Sequence, residues 1–589
     1  MRIPICGWIV LLIVIGSRSS CSFAPTRPFT RIRNNLDALF SRSQTQEEEI
    51  LYDVAVIGSG PASCSLAALL TANDSNVNVV LLSKYAAKRW TPNYGCWTEE
   101  WATLDRLYAD RGVTGLMDLG VDIHWDDTDC FFGEFDDGVL ENPNANDNQQ
   151  QEGDYRRSIG REYVRVSREG LKSIFYGDDD DDNRNYTVIP EDVLGKAINP
   201  NMFLPAGSIT FHKDFTELTL KESGRKIRAK IVVDGTGAES SFTIRDQRDR
   251  EGYQIAYGVE CHVTGAGVTE SHVGDYDRSK MTLFDFRSEK WRQSNQDDEI
   301  KQPTFNYVMP LSQDVIFLEE TSLVANPAMS FEECKRRLTE RMKSQNVEIT
   351  EILEEEFCYI PMGGGLPRAG QRIVPIGAAS GLVHPSTGYQ VGRALSSNLD
   401  VAEQIVAELN NKNNESLDPD AAAARILGRI WTPEAIRQRS FAVFGGEFFM
   451  SLNVNQLKHF FAGFFRLDPS MWGGFLAGWK NLPGYDNHKN WSARLTFGLT
   501  ALSKLSPKVG VGMAGSILQY ILTDEWGVDL IQSVTPLAGS PKGYEEALEF
   551  RRPENKGDQP AKDEAMALLC ACDRCQEEGN QRTETKIAA

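Results

Sequence analysis

The sequence predicts an α/β protein in which a Rossmann-like dinucleotide-binding domain is combined with an antiparallel β-sheet domain and a C-terminal helical region. Three observations predict this fold. A glycine turn follows a short apolar strand near residue 58, several segments of alternating polarity follow residue 252, and the last third has aromatic residues in a helical pattern. With 589 residues, 41% of them hydrophobic, the chain is long enough for several domains with large cores.

The first fifty residues have the composition of targeting segments. Residues 1–22 contain Arg2, an apolar stretch from Trp8 to Gly16 and a run of small residues, as secretory signal peptides do. Residues 23–50 begin with an Arg-rich stretch that has no acidic residue before Asp37, as plastid transit peptides do. This order resembles the bipartite presequence of algae with complex plastids, so we expect a plastid protein.

Charge and cysteine content exclude other classes. The formal net charge of −21 argues against a nucleic-acid partner, because a phosphate backbone is bound by basic surfaces. Many of the acidic residues lie in two segments, Glu134–Arg157 and Gly177–Asn185, the second with the run Asp178–Asp182, and we expect both to be solvated insertions. The cysteines are scattered and indicate no disulfide framework. No metal site is predicted, since Cys570, Cys572 and Cys575 lack a fourth ligand nearby in a tail, residues 541–589, that we expect to be disordered.

The first domain begins with a strand, a glycine turn and a helix. Val54–Ile57 predict a buried strand, after which Gly58 and Gly60 let a helix N-terminus face a pyrophosphate. The fingerprint is incomplete, because Ser63 occupies the third glycine position and Ser83 the place where an acidic residue usually binds the ribose. Ser83 can still donate a hydrogen bond. The turn favours FAD over the alternative of an ordinary strand, turn and helix.

Two later glycine turns support this interpretation. The strand within residues 227–240 ends in Asp234 and Gly235, as a second strand of flavoproteins does close to FAD. Residues 372–393 then return to the first domain as a strand and a glycine-bearing loop, whose glycines permit close approach to a flavin. These are Gly377, Gly381 and Gly388. Arg165 is a candidate for a cofactor phosphate, with surface pairing as the alternative. We assign residues 51–250 and 367–430 to the FAD-binding domain.

Residues 251–366 predict an antiparallel substrate domain. Its strand VIFLEETSLV contains two adjacent carboxylates, Glu319 and Glu320, and neighbouring residues of a strand point to opposite faces. A buried carboxyl has a raised pKa, which suits a general acid, whereas a strand-end salt bridge is the structural alternative. Phe317 shares a face with Glu319, but Ile316 and Leu318 are equally apolar, so the sequence does not identify the cavity face. We expect Glu320 to be the general acid and base, with Glu319 positioning it or stabilising a cation.

Aromatic residues and a histidine complete the candidate site. Trp90, Tyr94 and Trp97 are crowded beside the flavin turn, where they line either a ligand cavity or a packed core. His384 lies in the glycine loop of the return segment, where it would neighbour a flavin. Residues 431–540 predict aromatic helices too short to span a bilayer, which act as an interfacial surface, as a cap over the substrate domain, or as both.

These pieces, in this order, resemble the plant and algal lycopene cyclases over roughly residues 51 to 480. The resemblance rests on RWTPNYGCWTEE, VVDGTGAES, YQIAYGVE, PTFNYVMP, FLEETSLVANP, YIPMGGGLP and GLVHPSTGYQVGR, and FLEET with HPSTGY favours the β-ring branch. It implies a fold like that of the flavin hydroxylases, reduced FAD with NAD(P)H as reductant, and a cyclisation without net redox change. It also implies lycopene and monocyclic carotene as substrates, a peripheral site on thylakoid or envelope membrane, and other carotenoid-pathway enzymes as partners.

Other interpretations share this scaffold. A flavin monooxygenase such as a carotenoid epoxidase would use the same FAD domain without needing FLEET. The same scaffold would also serve an ε-cyclase. It would equally serve a paralogue that acts on xanthophyll epoxides, such as a neoxanthin or capsanthin synthase. A non-catalytic carotenoid carrier would not need the flavin turns.

Overall fold

The computed structural model describes residues 50–536 except 74, 134–154, 178–184, 196–207, 247–250, 289–301, 411–416 and 525–526. The predicted presequence, the tail with its three cysteines, the acidic run Asp178–Asp182 and most of the first acidic insertion therefore lie outside the described residues.

The strands are β1 (Leu51–Ile57), β2 (Val79–Leu82), β3 (Tyr94–Trp97), β4 (Val121–Trp125), β5 (Thr128–Gly133), β6 (Tyr155–Ser158), β7 (Tyr163–Val166), β8 (Thr187–Ile189), β9 (Ile209–Phe211), β10 (Thr216–Thr219), β11 (Lys226–Asp234), β12 (Gly252–Thr264), β13 (His272–Val273), β14 (Tyr276–Asp277), β15 (Met281–Asp285), β16 (Thr304–Pro310), β17 (Val315–Ser322), β18 (Glu348–Met362) and β19 (Ile373–Pro375).

The α-helices are α1 (Pro61–Thr71), α2 (Thr98–Ala109), α3 (Arg168–Tyr176), α4 (Phe331–Ser344), α5 (Val391–Leu409), α6 (Pro419–Ile430), α7 (Pro433–Met450), α8 (Val454–Phe464), α9 (Pro469–Ala477), α10 (Trp491–Lys504), α11 (Pro507–Thr523) and α12 (Gly527–Val534).

The first sheet has the parallel core that the glycine turns predicted. β1 lies between β2 and β11, β8 pairs with β2, β19 pairs with β11, and all these pairs are parallel. Ile57, Leu82, Asp234 and Pro375 are register partners at the carboxyl ends of four of these strands. In open α/β sheets this edge is where dinucleotides bind. The predicted Rossmann-like architecture is confirmed.

The second sheet runs β18-β12-β17-β16-β15-β5-β6 within the described residues. All its pairs are antiparallel except β15 with β5. The sequence assigned residues 128–158 to the FAD domain, but the structure pairs β5 and β6 with the second sheet. β5 and β6 are short and are separated by an acidic insertion, so the sequence does not show which sheet they join. The partner of a strand is set by tertiary contacts.

The second sheet is covered differently on its two faces. On one face Ile316 and Leu318 pack with Leu338 and Met342 of α4. On the other face Phe317 joins a cluster that contains the aromatic side chains of the C-terminal helices. β17 is therefore buried on both sides, which explains its continuous apolar run.

The C-terminal region is helical, as predicted, but its aromatic residues are mostly core. Phe449, Phe460, Phe461 and Phe464 are at most 5% exposed and pack against one another with ring centroids 4.9–6.1 Å apart. Within the described part of the chain, no helix is both long and apolar enough to cross a bilayer.

Candidate active site

A cavity of about 1460 Å³ joins the two sheets. It begins at the carboxyl ends of β1, β2, β11 and β19 and extends over β12, β16, β17 and β18. Pockets for one small ligand are usually about 300–1,000 Å³, so this cavity has room for a dinucleotide and a second molecule.

The turn after β1 forms the phosphate end of the cavity. Gly58 has φ +104°, and a Cβ there would lie 2.7 Å from the carbonyl oxygen of Gly235. Gly60 is the N-cap of α1 without a side-chain cap, and a Cβ there would meet nothing within 4 Å. Both line the cavity, so the first N–H groups of α1 are open to an anion. This arrangement fits a dinucleotide pyrophosphate.

Ser83 is suited to a ribose. Its hydroxyl oxygen accepts hydrogen bonds from the Ser59 hydroxyl at 2.9 Å and from the Tyr85 N–H at 3.1 Å. The Ser83 oxygen therefore already accepts two hydrogen bonds. Its hydroxyl proton remains available to donate to a ligand oxygen, because Ser83 lines the cavity.

The other predicted cofactor residues divide into two groups. Gly235 and Gly388 line the cavity, whereas Asp234, Gly377 and Gly381 lie behind it. Asp234 fixes the turn after β11 by accepting hydrogen bonds from Thr236, Ser240 and Thr243. A Cβ on Gly377 would be 2.9 Å from that of Ala62, so this glycine allows the return segment to pack on α1. Gly381, with φ +79°, ends the 3₁₀ turn at Gly377–Ser380.

Arg165 is not at the phosphate turn, contrary to the sequence-based expectation. It lies in β7, where its Nη2 is 2.6 Å from Glu260 and its Nε donates to the Asn93 side chain at 2.8 Å. Pairing was the alternative that the sequence left open, but this ion pair joins β7 to β12 and is not on the surface, since Arg165 is 7% exposed.

Glu319 faces the cavity. Cross-strand pairing places it opposite Tyr307 of β16 and Gly258 of β12. The described residues give its carboxyl no hydrogen-bond donor. Burial, and then the charge of Glu356, raise the pKa of Glu319 from 4.5 to about 8. It is therefore a protonated acid near neutral pH.

Glu320 points to the opposite face, which corrects the prediction that it faces the substrate. It is fully buried under α4, where Arg341 contacts both carboxylate oxygens at 2.8 and 2.9 Å and Thr304 donates at 2.5 Å. Alternation along the strand was predicted correctly, but only the position of α4 identifies the cavity face.

The aromatic cluster is split between the cavity and the core. Trp90 and Tyr94 line the cavity, and the Trp90 Nε1–H donates to the Ser59 carbonyl at 2.7 Å. Trp97 does not line it. Its ring packs edge-on against Tyr163 and Trp472, with the Arg161 guanidinium 4.3 Å from its centroid.

His384 is also outside the cavity lining. It is 2% exposed, its ring packs against Phe475, and its Nδ1 accepts the Ser386 N–H at 3.2 Å. Burial, and then the charge of Arg393, hold the pKa of His384 well below its usual range. A neutral, enclosed imidazole is not a proton donor to the cavity.

Comparison with known families shows the family to which this chain belongs. The family described as "Lycopene cyclase protein" matches residues 53–187 and 205–484. The chain belongs to the lycopene cyclase family. The matched residues include every candidate site residue described above.

Relatives of this cyclase-family protein include plant enzymes. Lycopene beta cyclase of Arabidopsis thaliana is 31% identical over 507 residues, covering 85% of this chain and 86% of the relative. Neoxanthin synthase of Solanum lycopersicum is 32% identical over 471 residues, covering 78% and 81%. Capsanthin/capsorubin synthase of Capsicum annuum is 30% identical over 471 residues, also covering 78% and 81%.

The solved structures to which this chain is similar are distant from it in sequence. A geranylgeranyl bacteriochlorophyll reductase-like protein from Thermoplasma acidophilum has a TM-score of 0.45 and 13% identity, covering 79% of this chain and 99% of the other. The rebeccamycin biosynthetic enzyme RebC, solved with reduced flavin, has a TM-score of 0.42 and 14% identity, covering 66% and 68%.

Sequence reasoning missed several polar side chains of the cyclase-family cavity. The hydroxyls of Tyr163 and Tyr307 are 3.1 Å apart beside Glu319, and Tyr389 donates to the fully buried Glu100 at 2.7 Å. Burial raises the pKa of Glu100 to about 7. Tyr307, Tyr389 and Glu100 lie within motifs that carry the family resemblance, but each comes from a different element, and a local motif does not show which residues meet in the fold. The glycine in YGCW was the available signal, since a Cβ on Gly95 would lie 2.4 Å from both Tyr163 and Tyr307.

Proposed function

We propose that this protein is a lycopene β-cyclase that converts the end groups of lycopene to β-rings, giving γ-carotene and then β-carotene. The observation that carries the proposal is Glu319, a carboxyl with a raised pKa that faces a large cavity continuous with a dinucleotide-binding turn. An acid of this kind is what protonation of an isolated carbon–carbon double bond requires.

The reaction needs one proton and returns it. The Glu319 O–H bond breaks as a C–H bond forms at a terminal double bond of lycopene, which leaves a carbocation. A second double bond of the chain attacks that cation and closes the ring. Loss of a ring proton to the Glu319 carboxylate forms the ring double bond and restores the acid. Product and substrate are isomers, so no net oxidation occurs.

Aromatic side chains support the cationic step. Trp90, Tyr94, Tyr163 and Tyr307 line the cavity, and their ring faces attract positive charge. Burial raises the pKa of Tyr163 and Tyr307 well above its usual value, so both remain neutral phenols.

The dinucleotide in this proposal is FAD, kept reduced by NAD(P)H. Gly58, Gly60 and Ser83 would hold its pyrophosphate and ribose, and Gly235 and Gly388 would leave room for it beside the return segment. When bound and reduced, it would supply an electron-rich ring system next to the cation. The chain's own residues position it and provide the acid.

The site of action in this proposal is a plastid membrane surface. The relatives named above are described as chloroplastic or chromoplastic, and lycopene is insoluble in water. A stripe of exposed apolar residues on α10 and α11 supports peripheral contact, with Lys504 and Lys508 also exposed between them. The stripe consists of Leu495, Leu499, Val511, Leu518 and Leu522. Within residues 431–540, where the sequence predicted an interfacial surface, the stripe confines this surface to α10 and α11, because the aromatic rings of α7 and α8 are largely buried.

Expression in lycopene-accumulating bacteria, followed by pigment chromatography, tests the proposal. β-Carotene is the expected product, and unchanged lycopene in cells that contain the flavin-loaded protein would contradict it. An ε-ring product would identify an ε-cyclase instead.

A synthase acting on xanthophyll epoxides is the second candidate, because the neoxanthin synthase relative is as similar as the cyclase. Supplying epoxidised xanthophylls to the purified protein separates the two. Oxygen uptake dependent on substrate would indicate a monooxygenase, and it is expected to be absent.

A further inference from the structure

A second carboxyl shares the row of Glu319 across the sheet. Gly258 of β12 pairs with Glu319 of β17 on one side and with Glu356 of β18 on the other. Directly opposed residues of an antiparallel sheet point to the same face, so both carboxyls point to the face on which the cavity lies. Both line the cavity. The residue between them is Gly258, where a Cβ would lie 2.7 Å from the Phe317 ring and 3.6 Å from Oε2 of Glu319.

The surroundings of Glu356 differ from those of Glu319. The Asn93 N–H donates to both Glu356 oxygens, at 3.1 and 3.0 Å, and the Cys358 thiol donates at 2.9 Å. Burial raises the pKa of Glu356 above its usual value, and the hydrogen bonds from Cys358 and Asn93 and the charge of Arg168 oppose that rise by favouring the ionised form. The described residues offer Glu319 none of these donors. One carboxyl is therefore held as an acceptor, and the other is left to carry the proton.

From this geometry we infer that Glu356 is a positioning residue whose fixed carboxylate keeps the proton on Glu319 until substrate is present. The inference rests on the proposed function, and it adds a residue that does not itself exchange a proton. After Glu319 has protonated the substrate double bond, two carboxylates face the carbocation. The charge of Glu356 then favours return of the ring proton to Glu319, which restores the starting state without any other reactant.

Other charged and titratable groups face this pair from every neighbouring element. Around Glu319 they are Tyr163, Tyr307 and Cys358, and around Glu356 they are Tyr94, Arg168, Glu354 and Cys358. Burial raises the pKa of both tyrosines beside Glu319 and of the thiol, so these groups stay neutral. Arg168 is bound by Glu354 through two contacts of 2.8 and 2.9 Å. Glu356 is thus the nearby group whose charge raises the pKa of Glu319, as burial alone does not account for the full effect.

The test compares Glu356→Gln with the matched control Glu355→Gln. Glu355 is the preceding residue on the same strand, but it faces away from the cavity and bonds Tyr257 and Lys335. With reduced flavin and lycopene, the alkaline limb of the kcat/KM profile should move to lower pH by roughly one unit in Glu356→Gln. It should stay in place in Glu355→Gln, and Glu356→Asp should restore it towards the wild-type position.

An unmoved alkaline limb in Glu356→Gln, whatever the change in rate, overturns the inference, because a merely structural role would lower the rate alone. Infrared titration measures the protonation state of Glu319 directly. It requires neither turnover nor a folded Glu356 variant. The wild-type spectrum minus that of Glu319→Gln should contain a protonated carboxyl band that persists above pH 7. A band that is lost near the ordinary carboxyl pKa overturns the inference. Absence of cyclisation by the wild type, with the band present, instead refutes the proposed function.

Discussion

Glu320 and Arg341 form a buried two-contact ion pair, with Nε–Oε2 and Nη2–Oε1 distances of 2.8 and 2.9 Å. Both side chains are at most 1% exposed. The pair ties β17 to α4 and thereby directs the even-numbered residues of the strand away from the cavity. Glu319, one position earlier, must then face the cavity.

Replacing Glu320 by Gln should lower the free energy of unfolding while most of the cyclisation activity remains. The variant leaves Arg341 buried without its full partner, which typically costs about 3–5 kcal/mol. Urea unfolding at pH 7 measures this loss, with Glu355→Gln, which affects a more exposed carboxyl, as control. An unchanged unfolding midpoint together with lost activity would show that Glu320 acts in the reaction rather than in the fold.

Much of the architecture follows from local sequence. The apolar run before Gly58, the two later glycine turns and the alternating strands after residue 252 each encode their element directly. Local sequence does not encode three other features. These are the face to which Glu319 points, the ion pair between Arg165 and Glu260, and the burial of His384. Each depends on which distant element packs against the residue, and that information is absent from a local window.

The phosphate turn gives a prediction based on two glycines. Gly60→Ala should fold and retain flavin, because a Cβ there meets nothing, whereas Gly60→Glu should fold and lose flavin through charge and bulk at the pyrophosphate. Gly58→Ala should fail to fold well, since its Cβ would lie 2.7 Å from a carbonyl oxygen at a positive φ. Flavin absorbance per protein and circular dichroism melting measure both effects. Full flavin in Gly60→Glu would refute the assignment of this turn.

The raised pKa of Glu319 predicts a pH-dependent stability. The folded protein holds this proton up to about pH 8, whereas the unfolded chain releases it near 4.5. The contribution of Glu319 to stability is thus present below pH 4.5 and is lost as the pH rises to 8. Glu319→Gln does not titrate, so its melting temperature should fall less than that of the wild type between pH 5 and 8.5. Parallel curves would mean that the carboxyl is ionised normally.

The exposed stripe on α10 and α11 predicts where the protein meets a membrane. Replacing Val511, Leu518 and Leu522, which are 59–75% exposed, by Ser should abolish binding to liposomes of plastid lipids without altering the melting temperature. Leu119, 59% exposed in the loop before β4, is the matched control. Vesicle co-sedimentation measures binding. Undiminished sedimentation of the triple variant would exclude this surface.

In the proposed reaction Glu319, rather than Glu320, moves the proton. The most direct test is the rate of β-carotene formation by Glu319→Gln and Glu320→Gln, each purified with bound flavin, reduced, and assayed per folded molecule on lycopene. We expect the rate of Glu319→Gln to fall by a factor of about a hundred or more, while that of Glu320→Gln stays within about tenfold of the wild type. Near-normal cyclisation by Glu319→Gln, or the larger loss in Glu320→Gln, would contradict it.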